Sequence, residues 1–364
     1  MGQFVSDIWV LLFAAARSPS VQTRALAMVA IAVGGLALVS VVFSIYVVWL
    51  RGRNVFRARR WANREARWGD LMLEAVGGER TVEEVSRRVG RSERLFFLDF
   101  LLRYARRLTG REKDRVKELA VPFLSELAPL LQDRDPYRRA RAVQTLGTLG
   151  LPDSSDKLVR AVDDDSPVVS MLAARALATH GGATYTEPIL SNLDRFEQWG
   201  SEYVVSLLVS LGSGAEAGLR GVMVDPSRSS RTRALVTDAL RRLHDLESVG
   251  AAEGILSREA EPDLAASLLR LLSFLGGPEH QDRVREFLDH SHFAVRAEAY
   301  SALGALGTSE DTEILEAGLS DPSPWVALHA ARGMRERGRR PRLLKLSESG
   351  SPGAAAAAQV LAEE

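Results

Sequence analysis

The residue types that perform chemistry are sparse in this sequence, and they do not cluster at the spacings that chemistry needs. His290 and His292 are the nearest approach to a pair of metal ligands, but they stand in a predicted loop, and two histidines alone do not define a site. The acidic run 163–165 directly precedes a Ser-Pro pair, which favours a solvated turn and a helix cap over a cation site. We therefore predict no metal site.

The same search yields no enzyme class. The chain of 364 residues has no cysteine, which excludes disulfides, thiolate zinc sites and a cysteine nucleophile. Its glycine pairs, such as Gly77-Gly78 and Gly276-Gly277, lack the Lys-Ser/Thr that follows the glycines of a phosphate-binding loop. No nucleophile, base and orienting group can be assigned together. The sequence therefore predicts no catalytic residue, no cofactor and no enzymatic activity.

Periodicity is far more informative than any motif. A leucine recurs with a spacing of 31 or 32 residues, and a second apolar column precedes it by four residues. The first column is Leu146, Leu177, Leu208, Leu240, Leu272, Leu303 and Met334, and the second is Ala142, Ala173, Val204, Val236, Leu268, Ala299 and Ala330. Such self-similarity indicates a solenoid of stacked helical pairs. The predicted fold is all-α, with about seven helical pairs over residues 121–364.

Turn residues mark where the second helix of several pairs begins. Proline is tolerated at the start of a helix, because its missing N–H would have no intrahelical partner there. In four repeats a proline follows Asp135, Ser166, Glu261 and Ser323. Glycines such as Gly150 and Gly307 then stop the helix a few residues after the ladder leucine.

The second helices are expected to line the inner, concave surface of the solenoid. Positions two, five and nine residues before each ladder residue point away from it at 100° per residue. Aromatic and arginine side chains, which dominate protein interfaces, recur at these positions. The predicted protein-binding residues are Tyr137, Arg141, Arg175, Trp199, Tyr203, Arg270, Trp325, His329 and Arg332. The alternative is that Trp199 and Trp325 fold back and fill gaps between repeats.

The N-terminal part has a different character. Residues 25–50 contain no charge, and at ~1.5 Å per residue they reach ~39 Å, enough to cross a ~30 Å hydrocarbon core. Seven arginines follow in residues 51–67, whereas only Arg17 and Arg24 precede the apolar run. The positive-inside rule then places residues 1–24 outside and the solenoid in the cytoplasm. A cleaved signal peptide fits less well, because the run is too long and ends in arginines.

The arginine-rich segment after this helix covers residues 51–68. Basic side chains near a membrane attract anionic lipid, and the residues expected at the surface are Arg51, Arg53, Arg57, Arg59, Arg60 and Trp61. The alternative is that the arginines act only as a stop-transfer signal. Arginine supplies 43 of the 47 basic residues, a bias typical of GC-rich bacterial genomes. The predicted location is therefore a bacterial plasma (inner) membrane, crossed once.

Residues 69–120 read as helical but irregular. Their widest apolar face, residues 96–104, favours the core of an N-terminal cap, because the end of a solenoid must be covered; a groove for a partner helix is the alternative. Residues 51–67 carry a net charge of +6 and residues 68–364 a net charge of −7. The repeats thus lack the positive charge that binding of nucleic acid requires, and no such partner is predicted.

The strongest copy of the repeat reads Val-Arg-x-x-Ala-x-x-Ala-Leu-Gly over Val295–Gly304. This pattern resembles the HEAT family, and its short period resembles the HEAT-like repeats of bacteria, including those of phycobilisome lyases. The resemblance covers residues 120–364 and implies fold far more than activity. Residues 187–212 and 217–243 depart from the pattern and lack its Val-Arg pair. The whole chain also resembles bacterial membrane-anchored HEAT proteins, which are often encoded beside membrane-associated glycosyltransferases.

These observations favour a membrane-tethered, non-enzymatic scaffold or adaptor that presents a concave cytoplasmic face to a protein partner. The resemblance implies a membrane-associated glycosyltransferase as one such partner. A lyase-like enzyme related to the phycobilisome lyases is the alternative hypothesis, and a lipid-surface protein with a passive solenoid is a third. The predicted tether and the lack of a catalytic constellation favour the scaffold.

Overall fold

The computed structural model describes residues 10, 21–150, 155–257, 260–350 and 352–363. All regular structure in these residues is helical, either α or 3₁₀. The chain divides into two compact units, Met1–Thr81 and Val82–Glu364. The predicted all-α class is thus confirmed.

The first unit contains one long helix, α1 (Val21–Val76). It runs without a break through residues 50 and 68, where the sequence suggested boundaries between an apolar, a basic and a capping segment. No proline occurs within it, so every residue can supply the N–H that continues the helix. The helix ends before two glycines, of which Gly78 has a φ of +84°, a conformation that terminates helices.

The second unit begins with three short helices, α2 (Val82–Arg88), α3 (Arg94–Ala105) and α4 (Gly110–Ala120), and a 3₁₀ segment, Val121–Gln132. Phe97 and Phe100 are fully buried. The ring of Phe97 meets that of Phe123 edge-on, with centroids 5.2 Å apart. The aromatic face of residues 96–104 therefore packs into a core, in line with a cap on the solenoid, although Phe96 itself stays exposed.

Seven second helices follow at the repeat spacing, each paired with a shorter first helix or 3₁₀ segment. The second helices are α5 (Pro136–Leu149), α7 (Pro167–Gly181), α9 (Ser201–Val209), α11 (Ser230–Leu243), α13 (Pro262–Leu275), α15 (Phe293–Leu306) and α17 (Pro324–Glu336). The first helices are α6 (Ser155–Val162), α8 (Thr186–Leu190), α10 (Glu216–Val224), α12 (Ser248–Ile255), α14 (Gln281–Arg285) and α16 (Thr312–Gly318). A last pair, α18 (Arg340–Ser347) and α19 (Ala354–Ala362), completes the unit.

The two apolar columns form the seam between neighbouring helices. All 14 residues, from Ala142 and Leu146 to Ala330 and Met334, have no exposed surface. Burying a leucine-sized side chain stabilises a fold by about 1.5–3 kcal/mol, so the ladder stabilises the packing of successive repeats. Four helices also begin at the predicted prolines, including Pro136 and Pro324. The predicted solenoid is confirmed.

Small residues set the closest approach of the second helices. A Cβ built on Gly304 of α15 would lie 2.3 Å from the Cα of Gly333 in α17. No side chain fits there, because real Cβ contacts do not come below about 3 Å. Glycine at this position therefore lets α15 and α17 touch backbone to backbone.

The third repeat departs from this regularity. Its first helix, α8, has only five residues and is flanked by the 3₁₀ turns Gly182–Tyr185 and Leu193–Phe196. Consequently α7 and α9 pack against each other less closely than other successive second helices do. The irregular geometry lies where the sequence loses the Val-Arg pair.

Candidate binding surface

The structure places all nine predicted binding residues on a second helix or, for Trp199, just before one. Their contacts sort them into three groups along the solenoid. Tyr137 and Arg141 form the N-terminal group on α5. The middle group is Arg175, Trp199 and Tyr203, and the C-terminal group is Arg270, Trp325, His329 and Arg332.

In the N-terminal group only one side chain is free to meet a partner. Tyr137 is 70% exposed. The guanidinium of Arg141 instead forms an ion pair with Asp99 of α3, with Nη2 and Oδ1 2.9 Å apart. Arg141 thus ties the first repeat to the cap.

The middle group is a stack of two rings and a guanidinium. The rings of Trp199 and Tyr203 are 5.8 Å apart and nearly parallel, and the guanidinium of Arg175 lies 4.7 Å from the centre of the Tyr203 ring. Trp199 is partly buried, with an inaccessible Nε1, and its ring packs on Tyr203 of the same repeat. It is therefore less available to a partner than Trp325.

The C-terminal group centres on an exposed tryptophan. Trp325 is 50% exposed, and its ring lies 5.0 Å from that of His329 one turn along α17. Burial lowers the pKa of His329; Glu298 opposes this shift, whereas Arg332 and Arg270 add to it. Burial thus favours the neutral imidazole, and its Nε2 is buried without a hydrogen-bond partner in the described part of the chain.

A charged ladder runs across the helices beside this tryptophan. The guanidinium of Arg270 on α13 lies between two carboxylates, 2.9 Å from Asp238 of α11 and 2.8 Å from Glu298 of α15. Sequence analysis did not assign these two acids, although both stand at outward positions: Asp238, like Arg270, lies two residues before its ladder leucine, and Glu298 lies five residues before Leu303. Arg332 likewise pairs with Glu363, 2.6 Å away. Both predicted arginines are therefore occupied within the chain.

A second set of ion pairs joins successive repeats at their turns. Arg139 of α5 contacts both oxygens of Asp164 at 2.7 Å, and Arg296 of α15 contacts both oxygens of Asp321 at 2.8 and 2.9 Å. In each pair the carboxylate also accepts a hydrogen bond at 2.8 Å from a serine N–H two residues on. An arginine seven residues before the ladder leucine, Arg296 in the Val-Arg motif and Arg139 at the equivalent position, thus clamps its helix to the next turn.

The acidic run and the histidine pair have the same structural role. Asp164 of the run 163–165 forms the turn just described. The residue that caps α7 is Ser166 and not an aspartate of the run, and its side chain makes no capping hydrogen bond. His290 occupies the equivalent position of another repeat, where its Nδ1 accepts a hydrogen bond from the N–H of His292 at 3.1 Å. No group of three or more potential metal ligands occurs in the described residues.

The membrane-surface residues lie along α1. Arg51 and Arg53 are exposed, and the guanidinium of Arg53 lies 5.0 Å from the ring of Trp49. The side chains of Arg57, Arg59, Arg60 and Trp61 lie outside the described residues.

One segment of the described chain, Ile31–Arg53 in α1, is long and apolar enough to cross a membrane. Its mean hydropathy is 2.5 and none of it is buried. The pair Ser201–Val209 and Ser213–Val224 passes the same composition test with a bend of 99°. Its apolar side chains, such as Leu208 and Leu219, are fully buried in the solenoid, so this pair belongs to the core.

Comparison with protein families identifies the repeat. The family described as HEAT repeats matches residues 124–197 and 251–335. The chain contains HEAT repeats in these two regions. The first matched region contains the Arg139–Asp164 pair and the second contains the Arg296–Asp321 pair. The unmatched stretch between them holds α9, α10 and α11. HEAT repeats make the chain a helical-repeat scaffold in architecture.

The other comparisons add little to this assignment. No curated relative matches the chain significantly. A solved structure of human deoxyhypusine hydroxylase in complex with glycerol matches at 16% identity, covering 69% of this chain and 99% of that one, with a TM-score of 0.31. That neighbour is an enzyme. A fold of HEAT repeats therefore does not exclude enzymatic activity, and our prediction that the chain is not an enzyme is wrong. A likeness this low assigns no activity to this HEAT array.

Proposed function

We propose that this HEAT-repeat protein is a membrane-tethered scaffold that binds a protein partner through the exposed aromatic side chains of its second helices. The supporting observation is Trp325. A tryptophan that is 50% exposed, beside a buried histidine nitrogen without a partner, is the kind of residue that supplies most of the energy in protein interfaces.

The tether is the segment Ile31–Arg53, and the arginines that follow it favour a cytoplasmic location for the repeats. We infer a bacterial inner membrane, with anionic lipid at the surface reached by Arg51 and Arg53. A partner that is itself membrane-associated would then lie within reach of the repeats. A glycosyltransferase of the kind encoded beside similar proteins is the first partner to test.

A photocrosslinking amino acid at position 325, in the full chain in its native membrane, should capture the partner for identification by mass spectrometry. The same group at Leu246 is the control, because Leu246 is 69% exposed but lies in the turn between α11 and α12 and not on a second helix. Trp325→Ala should then weaken binding of the purified partner about 30-fold, as interface hot spots do, whereas Leu246→Ala should not. Equal capture at both positions would contradict the proposed face.

The integrity of the fold separates binding from packing in this experiment. Because Trp325 is half-exposed, Trp325→Ala should melt within a few degrees of the unaltered chain. Arg332→Glu is less informative, since it would break the ion pair with Glu363 that ties α17 to α19. A large loss of thermal stability in Trp325→Ala would instead show that the ring is part of the core, and the binding face would have to lie elsewhere.

A further inference from the structure

A pocket of about 410 Å³ opens where α5, α7 and α9 meet. This volume falls in the range of small-molecule sites in proteins. Val143, Leu172 and Ala176 supply apolar wall, and the polar groups come from Arg106, Gln144, Thr148, Arg175, Thr179 and Tyr203.

The pocket exists because the spacing of the second helices changes at the third repeat. On one side α5 and α7 lie close together, since a Cβ on Gly147 would be 2.7 Å from the Cβ of Ala176. On the other side the short α8 and its 3₁₀ turns leave α7 and α9 less closely packed. The concavity is therefore built by the backbone path of the repeats.

The charge inside the pocket is positive and uncompensated. Arg106 and Arg175 both line it, and no acidic residue does. The Nη1 of Arg175 is buried and makes no hydrogen bond within the described part of the chain. By contrast, the guanidinium groups of Arg141, Arg270 and Arg332 each contact a carboxylate. A buried charged donor without a partner is costly, so a ligand anion would satisfy what the protein leaves open.

The positions of the neighbouring groups favour a ligand of mixed polarity. The ring of Tyr203 holds the Arg175 guanidinium in place from one side. The hydroxyls of Thr148 and Thr179 donate to carbonyls of their own helices at 2.9 and 2.8 Å. Their oxygens can then only accept further hydrogen bonds, which suits hydroxyl groups on the ligand.

We propose that this pocket binds a small hydroxylated anion, with its phosphate or carboxylate on Arg175 and Arg106 and its hydroxyls toward the threonines. Arginine forms two parallel hydrogen bonds with either kind of anion. The site lies on the middle group of residues, apart from Trp325, and it stands whether or not the proposed scaffold function does.

Isothermal titration of the full chain in a non-ionic detergent tests the proposal with three probes. Glucose 6-phosphate supplies a phosphate, gluconate a carboxylate, and glucose the hydroxyls alone. One or both anions should bind and glucose should not, and the preferred anion identifies the charged group. If neither anion binds, or if glucose binds as well as they do, the proposal is wrong.

Variants locate the binding. Arg175→Gln and Arg106→Gln should each weaken anion affinity about tenfold or more, the usual effect of losing a charge-assisted hydrogen bond. Arg332→Gln is the matched control, since that arginine lies on the same face but is paired, and its affinity should not change. Arg106 is exposed, so its variant reports on binding even if Arg175→Gln unfolds. Equal losses in all three variants would mean non-specific attraction and would overturn the assignment.

Tyr203 provides a test of geometry. Tyr203→Phe keeps the ring under Arg175 and should retain affinity, whereas Tyr203→Leu removes the ring and should weaken anion binding severalfold without changing the net charge. If Tyr203→Phe and Tyr203→Leu lose affinity equally, the ring does not position the guanidinium.

Discussion

Replacing Arg139 with glutamine should destabilise the contact between the first two repeats, and its neighbour Arg138 supplies the control. Arg139 donates to both oxygens of Asp164 at 2.7 Å and to the carbonyl of Asp133 at 2.9 Å. The side chains of this pair are only 16% and 11% exposed. Arg138 is 64% exposed, and its nearest carboxylate oxygen, on Asp133, is 3.2 Å away.

The expected magnitudes follow from this difference in burial. Removing one partner of a buried ion pair costs about 3–5 kcal/mol, and the remaining exposure of the Arg139 pair favours the lower end, about 3 kcal/mol. For a unit of roughly 280 residues, 3 kcal/mol corresponds to a loss of about 5 °C in melting temperature. Arg138→Gln should cost less than about 1 kcal/mol, as exposed pairs do.

Scanning calorimetry on the full chain in detergent gives the melting temperatures. Hydrogen exchange at the Ser166 amide reports on the turn itself, because this N–H donates a hydrogen bond to Asp164. A double-mutant cycle with Asp164→Asn should show a coupling energy of about 2 kcal/mol. If Arg139→Gln and Arg138→Gln lower the melting temperature equally, the arginine does not act as a clamp between repeats.

Three further predictions use other parts of the chain. Gly304→Ala should cost about 1–3 kcal/mol in unfolding free energy, because its methyl group would collide with the backbone of α17; Gly221→Ala, which meets no atom within 4 Å, should stabilise its helix by up to about 1 kcal/mol. The hydrogen bond from Arg296 lowers the pKa of Asp321. The stabilisation by the ionised carboxylate is therefore complete above a pH of about 4 and is lost as the pH falls through the lowered pKa. The free energy of unfolding should consequently fall less steeply with decreasing pH in Asp321→Asn than in the unaltered chain. A reporter that is active only in the cytoplasm should work when fused after Glu364 and fail at the N-terminus; the reverse would contradict the proposed orientation.

The fold could be read from the sequence because its core repeats. The ladder from Leu146 to Met334 fixes which side of each second helix is buried, and prolines such as Pro136 and Pro324 fix where these helices begin. Each of these signals lies within a single repeat, so it can be recognised without knowledge of the rest of the chain. The irregular third repeat was visible only as a missing Val-Arg pair.

The binding surface was harder to derive, because periodicity places a residue on a face but does not pair it. Arg270 stands at an outward position, yet two acids from the neighbouring helices occupy its guanidinium. Trp199 stands at the same position as Trp325, but it precedes a short helix and turns onto Tyr203. The pairing of Arg270 depends on contacts with residues 28 and 32 positions away along the sequence, which no single repeat encodes.

The unbroken course of α1 has a mechanical consequence. If Ile31–Arg53 lies in a bilayer, the same helix continues for 23 residues to Val76, or about 35 Å at 1.5 Å per residue. A helix segment of this length acts as a lever arm to the extent that its axis stays straight. An ordinary tilt of about 20° within the membrane would carry its far end sideways by about 12 Å. Because a helix tilts more in a thinner bilayer, a change in bilayer thickness would move the point where the chain leaves the helix sideways.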